Sequence, residues 1–195
     1  MEIRIDLGDR SDPRRGQEML TLRAKDVMSR DVSFPRTVLV KQLVAALKDE
    51  THTHQGFPVV DESNLFLGLI RRSELLHVLD TGFRSGASEL THPMVYSRPP
   101  PEIFASLTPG ELNMTLNLMP YVNRAAYTVP DHASVLRCFG LFRTMGLRHL
   151  PVLDSSSHLR GMITRKDLLL EHVHEAKWGA SSEAESEEED DSDLA

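Results

Sequence analysis

The sequence predicts an α+β protein built from two β-α-β-β-α repeats packed as a pseudo-symmetric pair. Three observations carry this. First, Phe57–Leu76, FPVVDESNLFLGLIRRSELL, aligns without a gap on Leu150–Leu169, LPVLDSSSHLRGMITRKDLL, at an offset of 93. Pro58 meets Pro151, Asp61 meets Asp154, and Gly68 meets Gly161, so the match extends beyond apolar character. Second, Val40, Leu43, Val44 and Leu47 are repeated at an offset of 95 by Val135, Cys138, Phe139 and Phe142. Third, one copy of about 60 residues would bury little surface alone, whereas two copies packed together share a larger interior.

Each copy is read in the same order. A short extended segment comes first, around Val32 and Phe34 or Tyr127 and Val129. The i, i+3, i+4, i+7 apolar spacing then predicts an amphipathic helix. Strands are predicted at Phe57–Val60 and Leu65–Ile70, and again at Leu150–Leu153 and Leu159–Ile163. Turns rich in Asp, Ser and Asn separate them, at Asp61–Asn64 and Asp154–Ser157. A second helix closes each copy. The change of offset from 95 to 93 places two extra residues in the first copy, within ETHTHQG at 50–56.

These repeats divide the chain into a segment 1–22, a first domain 23–80, a linker 81–117, a second domain 118–176 and a tail 177–195. The linker is rich in Pro, Ser and Gly, and its Pro99-Pro100-Pro101 run is expected to be neither helix nor central strand. The tail is dense in like charge and almost free of apolar residues, so disorder is expected. It also dominates the net charge of −7. Of 29 acidic residues eight fall in 183–195, which leaves 21 against 22 basic ones for the rest. That balance gives no basic footprint for a nucleic acid. The single cysteine, Cys138, fits a reducing compartment, and no apolar run is long enough to span a membrane, so the chain is expected to be soluble.

Catalytic arrangements are not evident. Cys138 lies on an apolar helical stripe, as a buried small hydrophobe would. His52 and His54, and His172 and His174, alternate without metal-site spacing, so no metal is expected. Glycine-rich nucleotide loops are missing. Helix N-termini remain as an anion-binding route. At Thr164-Arg165-Lys166-Asp167, Thr at the cap and Asp three residues on resemble a capping box. Arg165 and Lys166 carry the wrong sign for a helix start, so either both extend into water or an anion sits nearby. The first copy reads Arg71-Arg72-Ser73-Glu74, without a hydroxyl at the aligned cap.

The tandem repeat, with its PVV-D and G-[LMI]-I-[TR]-[RK]-x-[DE]-L-L patterns, resembles a pair of CBS domains. LTLRAKDVMS, THQGFPVVDE, LGLIRRSELL, YTVP, LFRTMGLRHLPVLD and GMITRKDLL resemble the cytoplasmic C-terminal region of CLC chloride channels and chloride/proton exchangers, above all the lysosomal exchanger. The resemblance covers roughly 20–170, broken in the linker. It implies a regulatory module, not an enzyme, that binds ATP, ADP or AMP without hydrolysis. It assigns the ribose to Asp167, the phosphates to Thr164, Arg165 and Lys166, and the base to His54, Gln55 and Gly56 with backbone help around Ser33. Which of His52 and His54 reaches the base stays open, because of the two extra residues. A CLC transmembrane domain and a homodimeric transporter, at the cytosolic face of an endosomal or lysosomal membrane, are the implied partners and place. The alternatives are a ligand-free packing and dimerisation module, or a CBS segment of an unrelated enzyme.

Overall fold

The computed structural model describes residues 21–30, 33–49, 54–81 and 98–169. Expectations for the first 20 residues, His52, most of the linker, His172, His174 and the acidic tail lie outside them. The chain divides into two compact units. One runs Arg30–Tyr127 with Leu153–Leu159; the other gathers the chain up to Ser29, Thr128–Val152 and the part from Arg160 onward.

In the first of these units, β1 (Phe34–Pro35) lies parallel to β3 (Gly56–Val60), which pairs antiparallel with β4 (Phe66–Arg71) in the order β1-β3-β4. Between β1 and β3 the chain forms β2 (Thr37–Leu39) and helix α2 (Val40–Lys48), after a short α1 (Ala24–Val27) that belongs to the other unit. The stripe Val40, Leu43, Val44 and Leu47 is buried as its spacing predicts. Each such side chain contributes roughly 1.5–3 kcal/mol on burial. Helix α3 (Arg72–Thr81) follows β4 directly and buries Leu75, Leu76, Val78 and Leu79.

Pro58 stands in the central strand of this sheet, where a missing N–H would ordinarily cost a bond. It pairs with Leu69, whose own N–H and carbonyl are used on Asn123 at 3.1 and 2.8 Å. The proline therefore takes nothing from the β3–β4 ladder. The ladder shifts register between Val59 and Val60, and Gly68 beside this irregularity has φ +148°.

The proline run is a correction. Pro99 caps helix α4 (Pro100–Ser106), and Pro100 and Pro101 occupy its first turn. The first-turn N–H groups have no intrahelical partner, so proline loses nothing there, and its fixed φ suits the helix. Ile103 of α4 is fully buried in the core of this unit. Thr108 then caps a short α5 (Pro109–Leu112) in a capping box with Glu111. Strand β5 (Thr115–Asn117) pairs antiparallel with β2, Val38 opposite Leu116.

The other unit, apart from Leu153 and Leu159 at the hairpin tip, repeats the sheet order with β6 (Val129–Pro130), β7 (His149–Leu153) and β8 (Leu159–Thr164). Helix α6 (Val135–Met145) stands between β6 and β7. Ser134 caps it by accepting from Arg137 N–H at 3.3 Å, and Gly146 ends it at φ +62°. Its face of Val135, Cys138, Phe139 and Phe142 is buried with Leu150, Val152 and Ile163.

Both hairpin turns use one device. Asp61 Oδ1 accepts from Ser63 and Leu65 N–H at 2.9 and 2.8 Å, and Asp154 Oδ1 accepts from Ser156 and His158 N–H, both at 2.9 Å. The aligned residues Asn64 and Ser157 both take positive φ, 64° and 66°. Hydrogen bonds to its turn, first from His158, hold the Asp154 carboxyl below its ordinary pKa.

The second strand of each hairpin also carries the closest backbone approach. A Cβ on Gly161 would lie 2.6 Å from Ser29 O and 2.8 Å from Met28 Sδ. One on Gly68 would lie 2.6 Å from Asn123 O. Gly140, on the outer side of α6, has nothing within 4 Å of its Cβ position. Gly161→Ala should therefore destabilise by about 1–3 kcal/mol, whereas Gly140→Ala should stabilise by about 0.5–1 kcal/mol through helix propensity. Urea denaturation measures both; equal effects of the two variants would contradict the crossing at Gly161.

Candidate functional site

The eight expected site residues fall into two groups of four, one in each compact unit. Thr164, Arg165, Lys166 and Asp167 lie where β8 ends. A regular helix was expected to begin there. Thr164 is instead the last residue of β8, and Arg165–Leu168 form a hydrogen-bonded turn, with Leu169 N–H donating to Lys166 O at 3.0 Å. The acidic cap is nonetheless built. Asp167 Oδ2 accepts from Thr164 N–H at 2.6 Å and from the Thr164 hydroxyl at 2.7 Å. Two donors on one oxygen fix the carboxylate's position.

Glu74 makes the equivalent reach in the other repeat, accepting from Arg71 N–H at 2.7 Å. The acidic cap is thus common to both copies. What separates them is the hydroxyl of Thr164, for which the first copy has the side chain of Arg71. Thr164, Arg165 and Asp167 are half-buried and Lys166 is exposed.

Arg165 does more than extend into water. Its Nε donates to Leu147 O at 3.1 Å, which ties the start of the turn to the loop before β7. Its counterpart at offset 93, Arg72, is placed alike. Arg72 Nε donates to His54 O at 2.9 Å and Nη1 to Leu47 O at 2.8 Å. The guanidinium sits over the Phe57 ring, 5.4 Å from its centroid. Burial pulls its pKa below the ordinary arginine value. Sequence reasoning passed over Arg72; the signal for it was its alignment with Arg165.

His54, Gln55 and Gly56 form the entry to β3. Gly56 pairs with Arg71, and Gln55 O accepts from Arg72 N–H at 3.0 Å. His54 is half-buried, Gln55 exposed and Gly56 buried. Ser33, half-buried, immediately precedes β1. The parallel register of Phe34 with Val59 sets it toward the Gly56 end of β3.

An acidic cap after each hairpin, an arginine clamp beside it and a matched helix before it define a tandem α+β repeat module. The family model described as CBS domain matches residues 24–81 and 118–173, and the chain belongs to that family. The chain is 34% identical over 165 residues to chloride channel protein CLC-d of Arabidopsis thaliana, covering 74% of this chain and 20% of that protein. It is 35% identical over 164 residues to the human H(+)/Cl(-) exchange transporter 7, covering 76% of this chain and 20% of that one. The chain thus spans about a fifth of the length of these curated relatives, which are by name a channel and an exchanger. Among solved structures, CBSX2 in complex with AMP is similar in fold, with a TM-score of 0.50 and 17% identity over 82% of this chain and 98% of that one. No helix among the described residues is long and apolar enough to cross a membrane.

Cys138 is fully buried in the core of its unit, and burial pushes its thiol up to about 11. A thiol held protonated and covered is a poor nucleophile. In the folded protein at pH 8 it should resist a disulfide-forming thiol reagent, and one equivalent should react on unfolding. Rapid labelling of the folded protein would contradict the burial.

Proposed function

We propose that this chain is a regulatory adenine-nucleotide-binding module of a CLC-type chloride channel or chloride/proton exchanger. The nucleotide binds without turnover and biases chloride transport by a membrane domain outside this chain. The observation that carries the reading is the asymmetry between the two acidic caps, taken with the similarity to CLC proteins. Thr164 steadies one oxygen of Asp167. The other oxygen is the acceptor that a ribose hydroxyl would use. Lys166, exposed beside it, suits a phosphate, with Thr164 and Arg165 as its neighbours. Ser33, His54, Gln55 and Gly56 are assigned the base. AMP in the structurally similar CBSX2 complex supports the ligand class. The CLC similarity supports a homodimeric transporter at the cytosolic face of an endosomal or lysosomal membrane, and the boundaries 23–80 and 118–176 for the two domains.

One observation favours a second reading. Arg165 has a structural task at Leu147 O, as it would in a module that packs without ligand. In that reading AMP, ADP and ATP leave the melting temperature unchanged, whereas a ligand of the native state raises it.

Calorimetric titration with ATP is the test. Binding should be measurable in protein shown to be folded, and Asp167→Ala should weaken it by about tenfold or more. Glu74→Ala removes the equivalent cap in the other repeat and should leave affinity within about twofold, which separates loss of a ligand contact from loss of a cap. No heat of binding at millimolar ATP would reject the nucleotide reading.

A further inference from the structure

Among the described residues, Arg72 ties His54 and Gln55, which lead into β3, to the end of α2. Arg72 lies at the start of α3, far along the sequence from what it holds. Its Nε and Nη1 take the carbonyls of His54 and Leu47, its own N–H takes the carbonyl of Gln55, and its cation lies on Phe57. Four contacts thus join the end of α2, the loop after it and the first residues of β3. A guanidinium can do this because its N–H groups diverge in a fixed plane. An ammonium is a compact point charge that cannot reach two carbonyls in that arrangement while stacking on a ring.

The repeat gives an internal comparison. Arg165, 93 residues on, makes the same Nε contact, to the carbonyl of Leu147, and Leu147 stands 93 residues after His54. The clamp is therefore a feature of the repeat, but the residue it presents differs. In one copy it fixes a leucine followed by arginine, Leu147-Arg148, in the other an imidazole followed by an amide, His54-Gln55. An imidazole and an amide can hydrogen-bond or stack on a purine edge and face, and a leucine can do neither in a base-selective way.

We propose that Arg72 is a positioning residue for nucleobase selection: by fixing the His54 and Leu47 carbonyls it sets the path of His54–Gly56, and with it the preference for adenine over guanine. The inference rests on the nucleotide-binding reading above and adds to it the residue that determines base specificity. Arg72 acts through its neighbours and touches no nucleotide itself. Adenine and guanine differ at the groups on their edges, so discrimination depends on where the loop's polar atoms are held. A loop released from its clamp would meet either base with averaged geometry. The ribose and phosphates, assigned to other residues, would be bound as before.

The test compares ATP with GTP on the full chain, by calorimetry, for the wild type, Arg72→Lys and Arg165→Lys. The two nucleotides share ribose and triphosphate, so the ratio of their dissociation constants isolates the base. Wild type should prefer ATP. Arg72→Lys should bring the ratio toward one, a loss of about fivefold to tenfold in preference, while GTP affinity changes little. Arg165→Lys removes the equivalent clamp beside the proposed phosphate residues; it should shift both affinities alike and leave their ratio within about twofold. A merely structural Arg72 would weaken both nucleotides alike and keep the ratio, which would overturn the proposal, as would a wild type without adenine preference. Should Arg72→Lys not fold, Phe57→Leu, which removes the ring under the guanidinium while keeping an apolar core residue, should lower the ratio in the same direction; an unchanged ratio there would overturn it too. A wild type that binds neither nucleotide would instead reject the nucleotide reading itself, and this inference with it.

Discussion

The edge of the second hairpin strand ties together stretches of chain that are far apart in sequence. Leu69 of β4 exchanges two backbone hydrogen bonds with Asn123, and Met162 of β8 exchanges two with Ser29. In each case a glycine, Gly68 or Gly161, sits one residue earlier, where a Cβ would collide with the crossing backbone. The crossing segment precedes the first strand of a repeat in sequence, but it is bound to a hairpin some 54 residues upstream or 133 downstream. Neither compact unit is therefore one continuous stretch of chain. The central proline of the first sheet follows from the same constraint. Because Leu69 turns its backbone groups outward to Asn123, Pro58 facing it is relieved of a bond it could not make.

The elements were largely legible because the repeat displays each signal twice. The stripe at Val40, Leu43, Val44 and Leu47, repeated at 95 residues, located both helices, and the Pro, Asp and Gly matches located both hairpins to within a residue of the observed strands. The proline run misled because its effect depends on position. Proline excludes a helix interior but favours a first turn, and the sequence does not say which of three successive prolines is the cap. The arginine clamps were hidden for a different reason. Their acceptors are main-chain carbonyls 18 and 25 residues away, and a carbonyl carries no mark in the sequence. Thr164–Asp167 stood out by cap spacing and charge, whereas Ser33, His54, Gln55 and Gly56, and the role given to each residue, were nameable only through resemblance to a family.

What the copies share and where they differ sorts scaffold from specificity. The Asx-type turns at Asp61 and Asp154, the acidic caps at Glu74 and Asp167 and the clamps at Arg72 and Arg165 occur in both. Interactions kept at both positions are what a β-α-β-β repeat needs to stand, and none of them by itself points to a ligand. Among the many differences at aligned positions, those that bear on the assigned site are Thr164 against Arg71, Lys166 against Ser73, Leu147 against His54 and Arg148 against Gln55. A functional reading gains weight only from residues in this second group.

That distinction changes the meaning of two adjacent cations after a strand. By sign alone, a cation in the first helical turn costs about 0.3–1 kcal/mol against the helix dipole, which invites a bound anion as compensation. A hydrogen bond from a charged donor to a half-buried carbonyl contributes about 1.5–3 kcal/mol, more than the dipole removes. Arg165 makes such a bond to Leu147, and Arg72 makes two in its own copy. Neither arginine then requires an anion to account for its place. Arg165–Leu168 form a turn and not a regular helix, so the dipole argument lapses, and the case for an anion is left to Lys166, exposed and matched by a serine in the other copy, together with the hydroxyl of Thr164 and the carboxylate it steadies. The case for phosphate at this turn is narrower than a count of charges suggests, and it points to different atoms.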